Sequence, residues 1–168
     1  ERMADVWVEV MDLLQGAVNA TSITPTCINP LPNVWLGVTV ENQKAADERI
    51  PFLLQTPAAV RFLSCEPLLE GIEIYRYLDR GFAAPCPVGQ RKGTVDWVIV
   101  GGESGTNARP TSIGHIRSVV QQCQAADVPV FVKQLGNNAD YPVSGKGDNP
   151  SEWPEDLQVR QYPEVNHG

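Results

Sequence analysis

Several signals are missing from this sequence, and each absence removes a class of function. The four cysteines, Cys27, Cys65, Cys86 and Cys123, stand far apart and form no CxxC or CxxxCxxC group. Their spacing therefore gives no zinc or iron–sulfur site within the chain. Only two histidines are present, His115 inside an amphipathic segment and His167 in the C-terminal tail. No GxSxG elbow precedes a helix, so no nucleophile–histidine triad is readable. No apolar stretch approaches the roughly 20 residues of a membrane helix, and no signal-peptide pattern opens the chain. Without an export signal the expectation is a cytoplasmic protein with reduced thiols; a disulfide through Cys86 is the alternative. An excess of basic charge is missing too. Thirteen Lys and Arg face twenty Asp and Glu, a formal charge of −7, which argues against a nucleic-acid platform while leaving room for a local basic pocket.

What is present suits one domain with a real core: 168 residues, 42% of them hydrophobic. The chain opens on Glu1 rather than Met, which predicts a fragment or a processed product. "ERMADVWVEVMDLLQ" places Met3, Val6, Val10, Leu13 and Leu14 at helical spacing, closed by Gly16. Four apolar runs follow, "NVWLGVTVENQ", "AAVRFLSCEPLL", "VDWVIVGGESG" and "VPVFVKQLG", each read as a strand. Between them lie helical patterns. "QKAADERIPFLLQT" is bent or split by Pro51, and "TSIGHIRSVVQQCQAAD" turns Ile113, Ile116, Val119, Val120 and Cys123 inward. Residues 70–94 read as a short strand or helical turn leading into a surface insertion, and residues 137–168 as an irregular tail with "DLQVRQYP" as a short edge strand. Strands recurring every ~25–30 residues fit strand–helix–strand crossovers. Their continuous apolar character predicts burial on both faces. The fold class is parallel α/β.

In such folds ligands bind at the carboxyl ends of the strands. The first run ends in Thr39, Glu41 and Asn42, the second in Ser64 and Glu66, the third in Gly101, Gly102, Glu103 and Ser104, the fourth in Lys133 and Gln134. Three carboxylates, a lysine and several amides are thus expected on one rim. Each has a plain alternative: Glu41 and Asn42 as helix caps, Glu66 as a turn residue before Pro67, Lys133 as a solvated strand end. In "GGESG" the glycines permit close backbone approach. The segment has neither the GxGxxG order of a dinucleotide site nor the GK[ST] of a P-loop. Asn107 and Arg109 follow as a clamp for a carboxylate or phosphate.

These four runs, in this order and with "DWVIVGGESG" followed by "ARP", closely resemble a family of phage and prophage proteins. The family is named after phage gene products thirty-seven and sixty-eight and is carried as a domain of unknown function. The likeness extends to the closing "WPEDLQVRQYP". Full-length relatives look like radical S-adenosylmethionine proteins, with a three-cysteine motif near the N-terminus and two or three further strand–helix units. The resemblance implies that this chain is the C-terminal half to two-thirds of a TIM-barrel-like (βα) barrel, lacking the N-terminal strand–helix units. It also implies that Glu41, Ser64, Glu66, Glu103, Ser104 and Lys133 line the cavity, with S-adenosylmethionine and a [4Fe–4S] cluster belonging to the intact family protein and no cofactor held by this chain alone. Radical S-adenosylmethionine enzymes carry a Gly-Gly-Glu segment after an early strand. Gly101, Gly102 and Glu103 follow a late one, so that role is not carried over. Asp127 stands where relatives often have a helix-ending glycine, a position Asp tolerates.

Three functions are compatible with this reading. The first is the distal cofactor and substrate wall of a radical-S-adenosylmethionine-like enzyme, inactive alone. The second is a non-enzymatic phage-encoded binding module, a homo-oligomer through exposed sheet edges. The third is a hydrolase or transferase using Glu41, Glu66 and Glu103, with or without Mg²⁺ or Mn²⁺. A small-molecule ligand is expected, and neither a membrane nor a nucleic acid.

Overall fold

The computed structural model describes residues 31–78 and 93–164. The helix expected over the first fifteen residues, Cys27, Cys86 and His167 lie outside them. Each apolar run becomes a strand: β1 (Trp35–Thr39), β2 (Val60–Cys65), β3 (Trp97–Gly101) and β4 (Val130–Gln134). All neighbours are parallel, and the sheet order is the sequence order. Helices fill the crossovers: α1 (Gln43–Gln55), the single turn α2 (Tyr75–Leu78) and α3 (Ile113–Ala125). Crossovers of one hand in plain sequence order put the described helices on one face of the sheet.

Burial follows that geometry. Val38, Leu63, Val98 and Val130 share one row across the strands, and Cys65, Val100 and Val132 the next. These rows pack with Ile50, Leu53 and Leu54 of α1 and with Ile116, Val119, Val120 and Cys123 of α3. Ile113 packs against the same core, so the inward face predicted for α3 is the observed one. Asn42 caps α1 by accepting from the Ala45 amide at 2.8 Å, and Pro51 sits inside an unbroken helix. A distant residue starts α3. Asp140 accepts from the Ile113 amide and the Ser112 hydroxyl, each at 2.7 Å. Asp127 ends α3 in the left-handed conformation, φ 54°.

The opposite face corrects the expectation that the strands are covered on both sides. There the rows are Gly37–Phe62–Trp97 and Thr39–Ser64–Ile99–Phe131, all partly exposed. Among the described residues it is aromatic rings packed against one another, rather than a helix, that occupy this face. Trp97 is the hub, its ring centroid 5.8 Å from Trp35, 5.9 Å from Phe62, 6.2 Å from Phe131 and 5.5 Å from Tyr162. The Phe62 ring lies on Gly37, where a Cβ would stand 2.4 Å from it; glycine makes room for the ring.

Among the described residues the sheet stays open and forms no closed barrel. The only strand partner of β1 there is β2. The outer edge of β4 is taken by residues 159–161, which bridge antiparallel at Arg160 through Val132 N–H to Val159 O and Gln161 N–H to Val130 O, both 2.9 Å. The short edge strand expected in "DLQVRQYP" is therefore a single bridge. The rest of the described tail holds two 3-10 turns, Pro150–Glu152 and Glu155–Leu157, and carries Trp153 and Leu157 into the core. Within residues 70–94 the helical turn expected there is α2 (Tyr75–Leu78), and the surface insertion expected after it falls largely outside the described residues. Ile72, Ile74, Tyr77 and Leu78 are buried, and the segment is fastened by Gln122, whose side chain meets the amides of Ile74 and Tyr75 and the carbonyl of Ile72. Residues 79–92 lie outside the described part. No described helix is long and apolar enough to cross a membrane.

Candidate functional site

The carboxyl ends of the four strands do converge. After β2, which is joined to Pro67 by a cis Glu66–Pro67 bond, the chain threads between its neighbours. The Leu68 amide donates to Gly101 O at 2.9 Å and the Leu69 amide to Glu41 O at 3.0 Å. These two bonds tie the ends of β1 and β3 across the end of β2.

Three carboxylates sit on this rim with different partners. Arg49 grips Glu41, donating Nη1 to Oε2 at 2.8 Å and Nη2 to Oε1 at 3.3 Å while also reaching Thr39 O at 2.7 Å. Arg109 grips Glu103 with Nε at 2.6 Å, Nη2 at 3.0 Å and its own amide at 2.9 Å. These contacts hold the Glu103 carboxyl down at about 2, through the Arg109 side chain first and its backbone second. The expected anion clamp at Arg109 is thus occupied by the protein's own carboxylate. Arg109 is itself pushed up, by the Glu103 hydrogen bond first and with a smaller contribution from the Glu41 charge.

Glu66 is different. Its side chain is the least exposed of the three, 16% against 25% for Glu41 and 28% for Glu103. Its partners are the most distant: Ser64 Oγ at 3.4 Å from Oε2 and Lys133 Nζ at 3.4 Å from Oε2 and 3.3 Å from Oε1. The Lys133 contact to Oε1 is close enough for an ion pair but not aligned as a hydrogen bond, and that buried oxygen has no hydrogen-bond partner.

Lys133 reaches this position through a local irregularity. Val132 pairs with Val100 and Gln134 with Gly101, so Lys133 is the extra residue of a bulge, a device that re-aims a side chain. It stands on the aromatic face, beyond Phe131, and is exposed. Gln134 turns the other way and is buried, donating to Gly102 O at 2.9 Å.

Most of the remaining predicted residues serve the fold. Asn42 caps α1. A Cβ at Gly101 would stand 2.9 Å from Gln134 O and 3.2 Å from Glu66 Oε1, and one at Gly102 would stand 2.1 Å from Leu135 O. The space beside both glycines is filled by β4 and Glu66. Ser104 and Asn107 are exposed. Arg49 and Asp140 escaped the sequence reading. Arg49 lies two helical turns beyond Glu41, a spacing that marks a partner only once the helix start is known. His115 lines a separate cleft of about 310 Å³ with Leu69, Pro110, Thr111, Ser112, Asn138, Ala139 and Asp140, beside the rim at the start of α3. The two described thiols are inert. Burial pushes Cys123 up to about 12, and burial, then Cys123 and Glu66, raise Cys65 well above the ordinary thiol value.

A parallel α/β sheet with a mixed-charge rim at its carboxyl ends describes a class of ligand-binding folds rather than one activity. The profile of a family described as a protein of unknown function (DUF5131) matches residues 2–162, and the chain belongs to that family. No curated protein and no solved structure matches it.

Proposed function

We propose that the chain is the C-terminal wall of a (βα) barrel of the radical S-adenosylmethionine kind, and that Ser64, Glu66 and Lys133 form its small-molecule rim. The observation that carries the reading is directional: strands in sequence order present polar ends on the same face as the partly exposed aromatic rows. In a barrel that face is the interior and those ends are the catalytic mouth. The Glu66 carboxylate there, held only by contacts of 3.3–3.4 Å, suits a cationic group such as the amine of S-adenosylmethionine.

A [4Fe–4S] cluster does not fit the described residues. Cys65 and Cys123 are buried on the helix side, and the sequence holds no closely spaced cysteine trio. In this reading the chain's own residues bind and orient a ligand, and the aromatic face keeps water from it. A carboxylate-metal hydrolase is less well supported. Glu41 and Glu103 are neutralised by arginines, and among the described residues no group of three His, Cys, Asp or Glu is placed to hold a metal. Oligomer formation through sheet edges is narrowed as well, since residues 159–161 occupy the outer edge of β4.

The test is a thermal melt of the chain with S-adenosylmethionine, with adenosine and Mg²⁺ as controls. A ligand at 100 times its Kd adds about 2.7 kcal/mol. A cooperative melt raised by S-adenosylmethionine and not by the controls supports the reading; a melt unmoved at millimolar S-adenosylmethionine overturns it.

A further inference from the structure

Resting on the reading of Lys133 as a rim residue, we infer that Arg160 is its positioning residue: from the C-terminal tail its guanidinium holds the bulge of β4 and so aims Lys133 at Glu66. A bulge leaves its extra residue outside the ladder. Lys133 is that residue, since Val132 pairs with Val100 and Gln134 with Gly101. β3 therefore gives it no register partner, yet its Nζ comes within 3.3 Å of Glu66 Oε1. Another group must fix the backbone there, and Arg160 does so from the outer edge of β4. Its Nε donates to Val132 O at 3.3 Å and its Nη2 to Lys133 O at 3.2 Å, one planar fork spanning two successive carbonyls. The same Nη2 reaches Asp148 O at 3.2 Å.

Arg160 is itself held in place. It bridges Phe131 through the backbone, and its guanidinium lies over the Phe131 and Trp153 rings, 5.3 Å from each centroid. Trp153 is buried and donates Nε1 to Gly147 O at 3.0 Å, so one side of this sandwich is anchored in the core. Among the described residues Arg160 forms no ion pair; its side chain serves main-chain carbonyls. The tail does not depend on that side chain for its attachment. Val132 N–H to Val159 O and Gln161 N–H to Val130 O, both 2.9 Å, fasten it through the backbone. Gln161 adds two more bonds, accepting from the Val130 amide at 3.2 Å and from Trp97 Nε1 at 2.9 Å. Removing the guanidinium thus leaves the tail docked and the bulge free to turn. A lysine at this position would keep the charge and lose the fork.

The test is a double-mutant cycle of Glu66→Gln and Lys133→Met, measured by urea denaturation in the parent chain and again in Arg160→Met and Arg160→Lys chains. Gln161→Ala is the control, since it loosens the tail without touching the bulge. Each Arg160 variant is expected to lower Tm by about 2–4 °C and to lose more than half of the Glu66–Lys133 coupling. Gln161→Ala is expected to lower Tm and keep the coupling. A merely structural arginine would lower Tm and leave the coupling unchanged, so full coupling in either Arg160 variant overturns the inference. A parent chain without coupling overturns it too, because there is then nothing to aim. Where Arg160→Met does not fold, Arg160→Lys carries the same comparison. Melts with S-adenosylmethionine separate this inference from the ligand reading. Coupling that depends on Arg160, in a chain whose melt S-adenosylmethionine does not raise, keeps Arg160 as the positioning residue of Lys133 and removes the ligand. Coupling indifferent to Arg160, in a chain that S-adenosylmethionine does stabilise, removes the inference and keeps the ligand.

Discussion

Replacing Lys133 by Met leaves the Glu66 carboxylate buried with Ser64 as its remaining hydrogen-bond partner among the described residues. The size of the effect follows from the geometry. At 3.3 Å Coulomb's law gives about 5 kcal/mol at an effective dielectric of ~20 and about 1.3 kcal/mol in bulk water. The lysine is more than half exposed, so the water limit is nearer for that partner, whereas Glu66 is mostly buried. Stranding a buried acceptor typically costs about 1–3 kcal/mol, and the expected loss is about 1–2 kcal/mol after screening. For a chain of this size that is a fall in Tm of roughly 2–8 °C.

Glu66→Gln removes the charge and leaves an exposed, well-solvated lysine, so it should cost about 0.5 kcal/mol or less. The double variant should then be more stable than the sum of the single losses predicts, with a coupling of about 1 kcal/mol. Urea denaturation of the four proteins measures this. A Lys133→Met loss equal to that of any exposed lysine, with no coupling to Glu66, would refute the claim that Glu66 is short of donors.

Other expectations follow from the rim and its supports. Gly102→Ala drives a Cβ into Leu135 O, a backbone atom that no rotamer change can move, and should lower Tm by roughly 6–12 °C; Gly101→Ala, with contacts of 2.9 and 3.2 Å, should cost clearly less in the same melt. Glu103 titrates at about 2 in the folded chain, below its unfolded value. Its stabilising contribution is therefore complete above about pH 4.5 and is lost as pH falls toward 2. Carbon-detected NMR should show its midpoint near 2, and Arg109→Gln should return it to the ordinary carboxylate range. Asp140→Ala removes the acceptor of the Ile113 amide and the Ser112 hydroxyl and should cost about 1 kcal/mol, read as faster amide exchange in the first turn of α3.

The sequence disclosed elements more fully than environments. All four apolar runs are strands because β-branched and aromatic residues bounded by Gly, Pro and polar pairs leave few other choices, and α3 showed its buried face in its spacing. Continuity of apolar residues misled about coverage. Trp97 and Phe131 look like core residues in a string of letters, yet their rings meet edge to face on a half-exposed face. The rim residues were legible as positions because strand ends follow from strand assignments. Their roles were not, since Asn42 and Gln134 take up backbone partners, and Arg109 is claimed by Glu103 through a loop closure of six residues that no local rule fixes. The burial of Ile72, Ile74, Tyr77 and Leu78 was hidden for a similar reason, since Gln122, which fastens that segment, lies 48 residues from Ile74.

The most direct test of the central claim is a crystal structure of the chain grown with S-adenosylmethionine. The account predicts ligand density on the aromatic face beside Glu66 and Lys133, with Nζ drawn toward the ligand carboxylate and away from Glu66. Density confined to the cleft of His115 and Asp140, or an unchanged Glu66–Lys133 pair in crystals saturated with a ligand that raises the melt, would contradict it.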